Sequence, residues 1–127
     1  MKDENLTVFS FTGFDTASPC FEFEGRSLHI NSSDANSVIL VHSNMGNFGT
    51  TRLSGTVDFC PNGGRDQPYD CEHWTHMFAL VAHKFDYTKY GDCQPVAYQC
   101  ESYDEFLKGR CGSCDNVIFT ALQNYAT

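Results

Sequence analysis

The chain has 127 residues, of which 41% are hydrophobic and 14% aromatic, enough for one domain with one modest core. The aromatic content argues against a disordered chain. The formal net charge of −8 disfavours nucleic acid as a partner, because phosphate backbones are themselves anionic. No apolar run reaches the roughly 18 residues of a membrane span, so no transmembrane helix is expected.

Three segments are predicted to be β-strands. Residues 7–14 are rich in aromatic and β-branched side chains and end at a turn-like Asp-Thr-Ala-Ser-Pro stretch. Residues 37–43 contain the continuous apolar run Val-Ile-Leu-Val, which is typical of a strand buried on both faces. Residues 55–59 form a shorter strand, closed by the turn sequence Pro-Asn-Gly-Gly.

Two helices are predicted after the strands. From Glu72 to about Phe85, apolar residues recur at helical spacing. Residues 102–108 form a shorter helix, with Ser102 as its N-cap and Gly109 at its end. Apolar strands followed by helices indicate part of an α/β sheet. A strand buried on both faces needs other elements packed against each face, and this chain supplies few of them. The architecture is therefore expected to be incomplete.

The seven cysteines indicate disulfides and an oxidising compartment. Two sequons, Asn5-Leu6-Thr7 and Asn31-Ser32-Ser33, agree with a secreted, extracellular protein. The polar N-terminus is unlike a signal peptide. Either export uses another signal, or the true N-terminus lies upstream of Met1.

Three sequence blocks, in this order, carry a family resemblance. They are TGFDTASPCF at 12–21, VDFCPNGGRDQPYDCEH at 57–73 and CESYDEFLKGRCGSC at 100–114. Together they resemble the pancreatic-lipase family, which includes invertebrate neutral lipases, insect phospholipases A1 and catalytically inactive yolk proteins. The resemblance implies a single partial domain over 1–127. This domain would be the C-terminal portion of an α/β-hydrolase fold, with about three strands, two helices and a disulfide-stapled C-terminal loop.

The resemblance places two members of a Ser-Asp-His triad in this chain. Asp15 occupies the position of the triad aspartate, and His73 occupies that of the triad histidine. In such a triad the carboxylate fixes the imidazole tautomer while the other ring nitrogen moves the proton. We therefore expect the carboxylate of Asp15 to lie within about 3.5 Å of an imidazole nitrogen of His73. By residue type alone, Asp15 would more simply be the cap of a turn, and His73 the cap of a helix.

The nucleophilic serine is expected to be absent. In the family it lies on a glycine-flanked turn upstream of the aspartate, and only a short segment precedes Asp15. The segment most similar to that turn surrounds Ser27, but it lacks the second glycine and follows the aspartate. Ser27 is therefore interpreted as a loop serine. The complete enzyme would hydrolyse lipid esters, acylglycerol or phospholipid, whereas this chain alone would be inactive. The alternative is a non-catalytic relative that binds lipid or protein, as yolk proteins do.

The resemblance also marks a structural calcium site at Asn31 and Asp34. A hard cation prefers several oxygens, mostly charged, and this pair supplies one carboxylate. The interpretation that Asp34 caps a turn is therefore favoured, and no cofactor is required. The Cys-Gly-Ser-Cys at 111–114 lacks a second matching pair, which disfavours zinc.

The family pattern implies that Cys100 pairs with Cys111 around the short helix. The lid loop that relatives carry just before the histidine is nearly absent here, which favours phospholipid-type substrates over bulky triglyceride. Without that loop, Cys71 has lost its usual partner. The remaining cysteines are expected to form the pairs Cys60–Cys71 and Cys93–Cys114, with Cys20 as a buried free thiol. The sequence gives no indication of the oligomeric state.

Overall fold

The computed structural model describes residues 7–19, 21, 28–67, 72–84 and 97–111, apart from the side chains at 72–74, 82 and 83. Main-chain contacts divide the chain into two compact units, Met1–Ala79 and Leu80–Thr127. The expectation of a single partial domain over 1–127 stays a prediction. Within the described ranges, no helix has the length and apolar character needed to cross a membrane.

The first unit contains a three-stranded parallel sheet. Its strands β1 (Ser10–Phe14), β2 (Ser37–Val41) and β3 (Val57–Phe59) lie side by side in chain order. Ser37 of β2 is in register with the first residue of β1, and Val57 of β3 with the third residue of β2. Because all three strands run the same way, their carboxyl ends meet at one edge of the sheet.

The central strand β2 is buried on both faces, as its apolar run predicted. Val38, Ile39, Leu40 and Val41 are each at most 5% exposed. Successive side chains of a strand point to opposite faces, so burial of all four means that both faces are covered. Burial of each such side chain contributes about 1.5–3 kcal/mol to folding stability, so this strand is the main part of the unit's apolar core.

The observed strands are shorter than the predicted ones, and two main-chain N–H groups within the predicted ranges bond to side chains. The Ser43 N–H, beyond β2, donates to the carboxylate of Asp15. The Gly55 N–H, before β3, donates to Asp58 Oδ2 at 3.1 Å. Before β1, the Phe9 side chain is 70% exposed and does not contribute to the core.

The helices are α1 (Glu72–Lys84) and α2 (Tyr103–Leu107), close to the predicted segments. Ser102 is confirmed as the N-cap of α2, since its Oγ accepts a hydrogen bond from the Glu105 N–H at 3.2 Å. Gly109 follows the helix with a φ of 67°, a conformation that favours glycine and ends the helix.

The predicted disulfide between Cys100 and Cys111 is present in the second unit. Their Cα atoms lie 4.9 Å apart, a usual separation for disulfide-bonded cysteines. The bridge encloses α2, none of whose residues is buried. Tyr98 and Tyr103 pack against Phe106 of the helix, with ring centroids 5.8 and 5.9 Å away. This segment is therefore held by a covalent link and aromatic contacts.

The predicted bridge between Cys60 and Cys71 is wrong. Cys60 is a free thiol at the surface, and its Sγ lies 4.0 Å from Met45 Sδ. Protein atoms around the sulfur partly desolvate it and, with the nearby Asp58 carboxylate, raise the pKa of Cys60 to about 11. The other cysteine predictions and Ser27 fall on positions outside the described residues: Cys20, Ser27, Cys71, Cys93 and Cys114.

Candidate functional site

Asp15 lies directly after β1, at the carboxyl edge of the sheet. Its φ of 46° is in the left-handed region, which aspartate and asparagine tolerate better than most residues. Its N–H continues the strand pairing by donating to the Val41 carbonyl at 2.7 Å. The residue is 2% exposed, so its carboxylate needs partners within the protein.

Three donors bind the Asp15 carboxylate. Oδ1 accepts the main-chain N–H groups of Ser43 and Asn44, each at 2.8 Å. Oδ2 lies 2.5 Å from Nδ1 of His76. Hydrogen bonds to a charged group contribute about 1.5–3 kcal/mol each, so the carboxylate is fixed in place by the end of β2 and by α1.

The loop between β2 and β3 places Gly49 next to the carboxylate of Asp15. Asn44 closes the loop: its Oδ1 accepts the Phe48 N–H at 2.9 Å and its carbonyl accepts the Gly49 N–H at 3.0 Å. A Cβ on Gly49 would overlap the carboxylate carbon and both oxygens of Asp15. Only glycine allows this close approach of the loop to the site.

His76 lies on α1 and connects the buried carboxylate to the surface. Its side chain is 36% exposed, whereas that of Asp15 is fully buried. The ring packs at a tilt on Phe48, with centroids 5.7 Å apart. Because Nδ1 faces Asp15, Nε2 is the ring nitrogen left for proton transfer. The dyad thus has a buried orienting group and an accessible base.

The described histidine that contacts Asp15 is His76, whereas the family motif indicated His73. His73 lies three positions earlier on α1, and its side chain is outside the described residues, so its assignment to the triad stays a prediction. Positions three apart are neighbours on a helix surface. Helical periodicity could therefore have added His76 to the sequence-based candidates.

Ser43 is the serine nearest to this dyad in the described contacts. It is fully buried, and its Oγ donates to the main-chain carbonyl of His76 at 3.4 Å. Its N–H donates to Asp15, so Ser43 supports both members of the dyad from the end of β2. It is not placed as a nucleophile, because its hydroxyl is directed to the main chain and not to Nε2.

A second histidine–aspartate pair lies beside the first. His42, fully buried at the end of β2, places Nε2 2.8 Å from Asp58 Oδ1 of β3. The His42 Nδ1 has no hydrogen-bond partner among the described residues. With 0% exposure, His42 is a core histidine. Because it directly precedes Ser43, the pair holds the segment that donates to Asp15.

Asn31 and Asp34 bond within one local turn, and the calcium site expected there stays a prediction. Asp34 Oδ2 accepts the Asn31 N–H at 2.8 Å, and Asn31 Oδ1 accepts the Ser33 N–H at 2.9 Å, so these oxygens close a local turn. Calcium takes six to eight oxygens, and one carboxylate with one amide falls far short. No group of three potential His, Cys, Asp or Glu ligands occurs among the described residues.

Comparison with known proteins identifies the family. A family model described as Lipase matches residues 4–125. Lipase member H of Rattus norvegicus is 32% identical over 115 residues, which cover 81% of this chain and 24% of that protein. Lipase member H of Xenopus tropicalis is 32% identical over 126 residues, covering 90% and 26%. Pancreatic triacylglycerol lipase of Equus caballus is 30% identical over 148 aligned residues, covering 96% and 32%.

The chain spans about a quarter to a third of the length of these relatives. The family match nevertheless extends over nearly the whole chain and includes both sheet and helices. Three parallel strands in one sheet, with helices in the same chain, agree with the fold that the sequence blocks implied. The chain therefore belongs to the Lipase family, and its sheet and helices are part of an α/β-hydrolase fold.

Proposed function

We propose that this chain supplies the aspartate and histidine of a serine carboxylic ester hydrolase that acts on lipid esters. The observation that carries the proposal is the hydrogen bond between Asp15 Oδ2 and His76 Nδ1, at 2.5 Å. It joins a fully buried carboxylate to a part-exposed imidazole at the carboxyl edge of a parallel sheet. Ligands of open α/β sheets bind at this edge.

The chemistry follows from this orientation. Asp15 accepts the Nδ1–H of His76, which keeps the lone pair on Nε2 and stabilises the imidazolium when it forms. As a serine oxygen attacks the ester carbonyl, Nε2 takes the serine proton and later gives it to the departing alcohol. These steps leave the acyl group on the serine. A water molecule then attacks this acyl-enzyme, with Nε2 as the base, and the fatty acid is released. We propose that a part of the complete protein upstream of Asp15 supplies the serine and the oxyanion donors, as the family motif implies.

The proton shuttle is assigned to His76 on the strength of the contact with Asp15. His73 is the alternative, supported by the family motif in which it stands. The two assignments predict opposite results for substitutions three residues apart on one helix, so they are readily separated.

The substrate class and location are part of the same proposal. We propose an acylglycerol or phospholipid ester and a secreted enzyme of lipid catabolism. The family match and the seven cysteines support this. The nearly absent lid favours a phospholipase A1 over a triacylglycerol lipase. No cofactor is required by this chemistry.

The test is an ester hydrolysis assay on the protein encoded by the complete native transcript. Emulsified triacylglycerol and phospholipid vesicles are the two substrates. His76→Gln should lower kcat by at least about 100-fold, the contribution typical of a general base, while His73→Gln and the control His29→Gln remain active. Loss of activity only in His73→Gln would overturn the assignment of His76. If the unsubstituted protein hydrolyses neither substrate, the hydrolase proposal is wrong.

A further inference from the structure

We propose that Asn31 is an acceptor of an N-linked glycan, so that the turn at residues 31–34 carries a sugar and not a cation. Asn31-Ser32-Ser33 matches the acceptor sequon, whose middle position is not proline. The inference shares with the proposed function only the secretory route and does not depend on ester hydrolysis.

The turn places the two required side chains of the sequon together. Both the N–H and the hydroxyl of Ser33 donate to Asn31 Oδ1, the former at 2.9 Å. Asn31 Nδ2 makes one long contact, to the His29 carbonyl at 3.4 Å. Because Nδ2 contributes so little to the folded structure, its substitution by a sugar costs the fold little.

The turn has room for a bulky hydrophilic group. Ser32, Ser33 and Asp34 are exposed, and Asn31 is part-exposed. Glycans belong on such surface loops because they are large and solvated. The turn's remaining hydrogen bonds, from the Asn31 and Asp34 N–H groups at 2.8 and 3.0 Å, use atoms that glycosylation leaves unchanged.

The acceptor lies at the opposite edge of the sheet from the dyad. Residues 31–34 precede β2 and so lie at the amino end of the strands, whereas Asp15 follows the carboxyl end of β1. The five residues of β2 alone separate the two edges by about 16 Å, at roughly 3.3 Å per residue. A glycan on Asn31 therefore leaves the edge with Asp15 and His76 open to a lipid surface.

The reaction needs one co-reactant, an oligosaccharide linked through a diphosphate to a membrane lipid. The bond from Nδ2 of Asn31 to the first sugar carbon forms as the bond from that carbon to the diphosphate oxygen breaks. Nδ2 loses one proton, and the lipid diphosphate leaves with the electron pair. No oxidant or reductant is involved.

The test is translation of the full chain, with an added leader and a C-terminal acceptor tag, in the presence of microsomes. Molecules with a modified tag have entered the lumen, and only these are scored. Release of glycans by peptide N-glycosidase F in heavy-oxygen water marks each former glycan position by mass. We expect the label at position 31 in the unsubstituted chain, its loss in Asn31→Gln and Ser33→Ala, and its retention in Ser33→Thr and Ser32→Ala.

Two results would overturn the inference. One is an unlabelled Asn31 in molecules whose tag is modified. The other is a label at position 31 that persists in Ser33→Ala. Neither result bears on ester hydrolysis, which is measured separately and with different variants, so failure of one proposal is distinguishable from failure of the other.

Discussion

Replacing Asp15 with asparagine should switch the tautomer of His76 without unfolding the protein. The asparagine oxygen must stay where Oδ1 is, because it faces the N–H groups of Ser43 and Asn44 at 2.8 Å. Its amino group then takes the place of Oδ2 and presents a donor to Nδ1 of His76. The imidazole can pair with it only by moving its proton to Nε2.

The magnitude follows from the loss of charge on the acceptor of three hydrogen bonds. Each changes from a charge-assisted bond of about 1.5–3 kcal/mol to a neutral bond of about 0.5–1.5 kcal/mol, a gross loss of about 3–4 kcal/mol. Burying a neutral amide costs less than burying a carboxylate, so the net loss in unfolding free energy should be below about 4 kcal/mol. In an enzyme that carries this dyad, the wrong tautomer lowers kcat by about four orders of magnitude, since Nε2 is no longer a base. The fold should lose part of its stability, and the proton shuttle should lose nearly all of its function.

Nitrogen-15 NMR of the histidine rings, at a pH where the rings are neutral, reports the tautomer directly. In the unsubstituted chain the proton of His76 should reside on Nδ1, and in Asp15→Asn on Nε2. The matched control is Asp58→Asn, which changes the partner of His42 and should leave the signals of His76 unchanged. If the proton of His76 stays on Nδ1 in Asp15→Asn, the assigned contact does not control that ring and the reasoning fails.

Three further predictions concern the surroundings of the site. Gly49→Ala should lower the unfolding free energy by about 1–3 kcal/mol, measured as a shift of the urea midpoint, because its Cβ meets the carboxylate of Asp15; an unchanged midpoint would contradict the close approach. The thiol of Cys60 should react with iodoacetamide at pH 8 about 100-fold more slowly than a thiol of pKa 9.0, and its rate should increase as the pH rises towards 11. Replacing Cys100 and Cys111 together by serine should cost about 3 kcal/mol in the second unit, seen as loss of amide-exchange protection there; protection equal to that of the oxidised chain would refute this.

The fold was largely predictable because its signals are local. The run Val38–Val41 is apolar throughout, and the structure buries all of it. Ser102 and Gly109 mark the ends of α2 by cap chemistry that depends only on neighbouring residues. The strand ends were less predictable, since the groups that compete for their main-chain hydrogen bonds, such as Asp15, come from elsewhere in the sequence.

The sequence motif indicated Asp15 and did not indicate its contact with His76. Asp15 follows a strand in a specific motif, and the structure places it in the centre of the hydrogen-bonded cluster. Which of two histidines on α1 reaches it depends on the rotation of the helix relative to the sheet, and a sequence motif does not encode that angle. The free thiol of Cys60 escaped prediction for a similar reason, because pairing of cysteines depends on distances between loops.

The left-handed backbone of Asp15 restricts which residues can replace it while the fold is kept. At a φ of 46°, a Cβ-bearing residue is strained unless it is aspartate or asparagine, and glycine would leave the N–H groups of Ser43 and Asn44 buried without an acceptor. Asparagine alone keeps both the backbone conformation and the acceptor. Of the replacements that remove the carboxylate at this position, asparagine should therefore cost the fold least.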